Sequence, residues 1–153
     1  MPFDMFLKID GIDGESQDKT HPNEIQIDSF SWGESNPTSI VPGGGGGKAV
    51  AQDFHFAAAL SKASPNLMLA CAIGAHINQA LLTCRKAGGP GQVEFLKIKL
   101  QDCLISSYEA GGNALDASPE DQFSIAFVKI DFTYTVARTG EVVETAFAFG
   151  GPT

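Results

Sequence analysis

FLKIDGIDGESQDKTHPNEIQIDSFSWG, residues 6–33, holds two short apolar runs joined by a long polar, acidic turn, and the second run closes on the aromatic pair Phe30 and Trp32. No catalytic grouping lies between the runs. Outward from this stretch, period-two alternation recurs. Leu96, Ile98 and Leu100 alternate with Lys97, Lys99 and Gln101, which predicts one buried and one wet face. Val128, Ile130, Phe132, Tyr134 and Val136 alternate in the same way with Lys129, Asp131, Thr133 and Thr135. Just upstream, Phe123, Ile125 and Phe127 put apolar groups on the opposite face, so cover on both sides is expected there, from a helix or a neighbouring subunit. Phe54, Phe56, Ala58 and Leu60 make another strand, and a further one over residues 76–86 ends at the Gly/Pro turn AGGPG of residues 87–91. With residues 5–9 and 24–31, this makes about six or seven strands, enough for a closed or nearly closed barrel.

One helix is signalled. Ser64 suits the N-cap, Pro65 the first helical position and Gly74 a left-handed C-cap, while Leu67, Ala70, Cys71 and Gly74 share a stripe. The expected architecture is a single domain over residues 1–153: an antiparallel β-barrel with one short α-helix and a long extended glycine-rich loop. After a turn at Thr139–Gly140, residues 137–153 are expected to supply a last strand.

Composition excludes several function classes. Ten Lys and Arg against eighteen Asp and Glu give a formal net charge of −8, a field that repels phosphate backbones and anionic lipid, so nucleic acid is a poor partner. No run of about 18 apolar residues exists for a membrane span. The N-terminus MPFDMFLKID lacks the basic and apolar regions of a cleavable signal peptide, so synthesis and folding in the cytoplasm are expected. Cys71, Cys84 and Cys103 are odd in number and widely spaced, which points to buried reduced thiols.

No motif carries chemistry. PGGGGGKA places Pro42 and Ala49 where a phosphate loop needs glycine and a hydroxyl, so no nucleotide cofactor is expected. His21, His55 and His76 lack metal-ligand spacing; His21 is read as a structural hydrogen-bonding residue and His55 as exposed. Asp10, Asp13, Glu15 and Asp18 lack the pattern of a calcium loop. Catalytic and metal sites are therefore expected to be absent. A small ligand-binding barrel is the alternative, but the helix and the abundant Phe, Leu and Ile are expected to fill its interior.

The opening stretch resembles the Hcp family, the ring-forming tube proteins of bacterial type VI secretion systems. The resemblance continues in SKASPNLMLACAIGAHINQALLTCRKAGG (residues 61–89), QVEFLKIKLQDCLISSYEAGG (92–112) and FSIAFVKIDFTYT (123–135). It implies a structural role without a reaction: six copies form a ring, rings stack into a tube propelled by a contractile sheath beneath a spike protein, and the lumen carries and stabilises effectors. It further implies export to the medium or a target cell. Gly43, Gly44, Gly45, Gly46 and Gly47 then become a ring-stacking loop, and Ser29 and Ser31 a lumen surface for cargo. Phe30 and Trp32, aromatics that lead straight into the glycine run, are read on their own chemistry as a subunit interface, with burial in the core as the alternative.

Overall fold

The computed structural model describes residues 3–37, 49–86 and 93–149. The glycine run 43–47, the turn at 87–91 and the last four residues lie outside them. The elements are β1 (Phe3–Ile9), β2 (Ile25–Gln26), β3 (Ser29–Ser31), β4 (Glu34–Ser35), β5 (Val50–Ala51), β6 (Phe54–Ala59), α1 (Ala63–Ile73), β7 (Ile77–Lys86), β8 (Glu94–Gly111), β9 (Glu120–Thr135) and β10 (Val142–Ala148). Eight strands form one antiparallel sheet in the order β2-β1-β7-β8-β9-β6-β3, with β10 beside β9, and β4 pairs with β5 separately.

The run expected as one strand over 24–31 is two, because the chain changes partner within it. The Ile27 N–H still donates to Met5 on β1, whereas the next residue, Asp28, donates to Ala57 on β6. One segment thus links the two ends of the strand order and curls the sheet strongly round on itself. The core fills the curl with Leu7, Ile9, Phe54, Phe56, Leu82, Ile98, Leu100, Phe123 and Ile125, and Leu67 and Ala70 of α1 plug it. Such a filled interior leaves the small ligand-binding barrel without support.

The helix starts differently from the expectation. It begins at Ala63 after Lys62, and the Ser61 hydroxyl accepts the Ala63 N–H at 3.1 Å. Ser64 is no cap, since its hydroxyl points inward and donates to Asp121. Gly74 does end the helix at φ 62°, where a side chain would be strained.

In β8 the buried positions change step, from Ile98 and Leu100 to Cys103 and Ile105, across Asp102, whose φ of 54° breaks the pleat. In β9, Phe123 and Ile125 are buried within the chain and so is Ile130, but Val128, Phe132 and Tyr134, expected to share its buried face, are exposed. The reason is the placement of β10, which extends the sheet beside β9 and leaves this face of β9 uncovered among the described residues. The last strand itself forms as expected, pairing Val143 with Tyr134 and Phe147 with Ile130. Leu60, expected within a strand, falls just beyond β6 and is exposed.

Candidate functional site

Four strand segments make a wall with a polar outer face. Beyond the bulge between Ile105 and Ser107, β8 pairs with β9, β9 with β6 and β6 with β3. The register sets cross-strand rows. Ser29, Ala57, Gln122 and Glu109 form one, Ser31, His55, Ser124 and Ser107 the next, and Ala59, Glu120 and Gly111 a third. Alternation turns the intervening row, Phe30, Phe56, Phe123 and Tyr108, toward the core. The outer rows line a hollow of about 770 Å³ that includes Ser29, Ser31, His55, Ser107, Glu109, Glu120 and Gln122. Small and hydrogen-bonding side chains therefore cover a broad concave surface.

Both edges of this wall are open. Past Cys103, β8 no longer pairs with β7, and β3 pairs only with β6 among the described residues. Among the described residues, neither edge has a second strand partner, and the two edges stand on opposite sides of the same four strands, a template for pairing with another chain.

Phe30 and Trp32 are half-buried and stack on Phe54 at 5.7 and 5.8 Å between ring centres, so the core takes one side of each. The Trp32 indole N–H is buried and has no acceptor among the described residues. Together with Ile130, Phe132, Phe147 and Phe149, Trp32 also lines a shallow apolar groove of about 200 Å³.

His55 is exposed on the hollow, as its strand position predicts. His21 does serve as a hydrogen-bonding residue, contacting Glu24 and Glu94. The acidic turn is partly structural: Asp18 holds the buried Arg85 guanidinium at 2.8 and 2.9 Å, and that hydrogen bond keeps its carboxyl well below the ordinary range. Gly14 is required in this turn, because a Cβ there would lie 2.6 Å from the Glu24 carbonyl oxygen. All three cysteines are free; Cys84 and Cys103 are buried and Cys71 half-buried. Burial pushes the Cys84 thiol up to about 11 and that of Cys103 to about 12, which suppresses thiolate chemistry.

Two polar clusters escaped the sequence reading. The buried Asp121 carboxylate accepts from Ser64 on α1 and Tyr108 on β8, tying helix to wall; beside Glu120 in the sequence it read as one more solvated acid. Ser106 and Ser107 of the β8 bulge both reach Ser124, and Ser106 also donates to Asp53 at 2.7 Å. The paired serines gave no sign that a bulge would turn both toward one neighbour. Among the described residues, no three His, Cys, Asp or Glu side chains could hold a metal ion, and no helix is long and apolar enough to cross a membrane.

The family described as type VI secretion system effector, Hcp, matches residues 6–134. The chain belongs to the Hcp family. It is 44% identical over 136 residues to Protein hcp1 of Pseudomonas aeruginosa, covering 88% of this chain and 84% of that relative. The crystal structure of Hcp1 from Salmonella typhimurium superposes with a TM-score of 0.85 at 34% identity, covering 97% of this chain and 96% of that one. A type VI secretion system effector from Yersinia pestis gives 0.80 at 34% identity, covering 95% and 99%. Hcp membership makes this a type VI secretion system protein of a structural family, not a known enzyme family, and Hcp proteins are secreted by that system.

Proposed function

We propose that six copies of this chain close into a ring by joining the open β8 edge of one wall to the β3 edge of the next, and that rings stack into a tube. The observation that carries this is the four-stranded wall with two unlike open edges. Two different surfaces on one chain are what a heterologous, closing interface needs, and strand addition supplies the backbone hydrogen bonds both edges lack. Phe30 and Trp32, beside the β3 edge, would support that joint. Gly43 to Gly47 would make contacts between rings. The polar hollow would face the lumen, where Ser29 and Ser31 meet effector cargo. The contractile sheath and the spike protein at the tube tip are the remaining partners. The chain would be made in the cytoplasm and exported by the type VI system to the medium or a target cell.

Native mass spectrometry tests the ring, with an expected mass of six times 16.1 kDa. A monomer at micromolar concentration in moderate salt overturns it. For cargo, Ser31→Glu should lower co-purification of an effector while the hexamer survives. Unchanged retention in an intact mutant ring removes Ser31 from the cargo surface.

A further inference from the structure

His21 sits in the turn between β1 and β2 with its imidazole wedged between two carboxylates. Nδ1 lies 3.0 Å from Glu24 and Nε2 lies 2.6 Å from Glu94 at the start of β8. The ring stacks on Phe6 of β1 at 4.6 Å and 9°, so it cannot turn away without losing that contact, and the residue is only 8% exposed. Donor arithmetic then decides its charge. A neutral imidazole has one donor and one acceptor nitrogen, whereas ionised carboxylates only accept. Two short contacts to two carboxylates are both hydrogen bonds only if both nitrogens carry protons. Neutral His21 would leave one of them acceptor against acceptor at near-contact distance.

The surrounding charges favour the same state. Lys97 pairs with Glu94 at 3.4 Å. Across the Phe6 ring, Arg85 lies 4.9 Å from its centroid and is itself neutralised by Asp18 and Asp4. Asp18 also accepts the His21 backbone N–H. Burial alone would lower the basicity of the imidazole, but the hydrogen bonds it donates to Glu94 and Glu24, with the charges of those carboxylates, outweigh burial and raise it above its ordinary value. The Glu94 carboxyl, which burial alone would raise, is held below its ordinary range by His21 and Lys97, so the shared proton belongs on the ring.

We propose that His21 is a doubly protonated latch that clamps the turn onto β8, closed while the imidazolium persists and released when it loses a proton. The segment it closes has few other ties. Those are the Arg85 guanidinium on Asp18 and Thr20, the Glu15 carboxylate on the Lys62 N–H, backbone bonds among Gly14, Ser16, Asn23 and Glu24, and the buried Ile12 and Ser16 side chains. Release is therefore local and leaves the sheet intact. Because the folded group holds its proton more tightly than in the unfolded chain, the stabilisation is complete below a pH of about 6.5 and is lost as pH rises through the higher folded value.

The test combines nitrogen-15 NMR of the imidazole with amide hydrogen exchange over residues 13–24 in the intact chain, compared between about pH 6 and about pH 9 after correction for intrinsic rates. Both His21 nitrogens should be protonated at the lower pH. Local opening should increase roughly tenfold or more at the higher pH, the equivalent of one charge-assisted hydrogen bond. In Glu94→Gln the amide can donate to a neutral ring, so the turn should stay closed and its pH dependence should vanish. A neutral His21 at about pH 6, or equal protection at both pH values in the wild-type chain, overturns the latch. So does an unaltered pH dependence in Glu94→Gln.

Discussion

The two ends of the β8–β9 ladder are built from similar residues and are finished differently. At the α1 end, Phe123 and Ile125 are sealed in the core to which α1 adds Leu67 and Ala70, and Asp121 binds hydroxyls from two other elements. At the β10 end, every residue of the last strand is exposed, including Val142, Val143 and Phe147, and Phe132 and Tyr134 of β9 are exposed with them. An alternating apolar strand needs a cover for its face, and in one case this chain supplies it. In the other it does not, and clustered apolar exposure of this kind marks a surface waiting for a partner. The groove with Trp32 runs from this open end toward the β3 edge, so the two unfinished surfaces adjoin.

The comparison predicts that truncation at the two ends has unequal effects. Phe123→Ala should destabilise the chain by about 3–5 kcal/mol, since Phe123 is almost fully buried, and denaturant unfolding under ring-dissociating conditions would measure it. Phe147→Ala in the same assay should cost less than about 1 kcal/mol. Equal losses would break the contrast.

Asp121→Ala should come next, at about 1–3 kcal/mol, because it strands the Ser64 and Tyr108 hydroxyls in a buried place. Asp121→Asn, which can still accept from one of them, should recover part of this. Calorimetric melting of the two variants would decide, and a silent Asp121→Ala would mean that packing alone docks the helix.

The open end sharpens the contrast from the other direction. Phe147→Glu should leave the isolated chain folded, with its melting temperature within a few degrees of the parent, yet convert rings to monomers by native mass. Leu69→Glu, on the exposed face of α1, should also leave the chain folded but keep the ring intact. A ring that survives Phe147→Glu would show that the β10 end stays open in the assembly.

The smallest effect concerns charge. Six chains at −8 each carry −48, so stacking of rings should strengthen modestly as salt shortens the screening length to about 8 Å or less. Light scattering across a salt series would check this, and tubes that dissolve as salt rises would point to specific ion pairs between rings.

Sequence periodicity alone placed the longer strands, because a period of two is a local property of the pleat, and Gly74 marked the end of the helix, because a left-handed residue favours glycine, whereas the short β4 and β5 escaped it. Family motifs in residues 6–135 named the Hcp family without any coordinates. What tertiary structure decided was everything set by partners distant in the chain. Ser64 looked like a cap until Asp121, 57 residues away, claimed its hydroxyl. His21 looked like a generic turn residue until Glu94, 73 residues away, closed on its second nitrogen. Ser29 and Ser31 had no assignable face until pairing with β6 fixed the register and turned them to the hollow. The exposure of Phe132, Tyr134 and Phe147 was equally hidden, since alternation tells which residues share a face of a strand and says nothing of what covers that face.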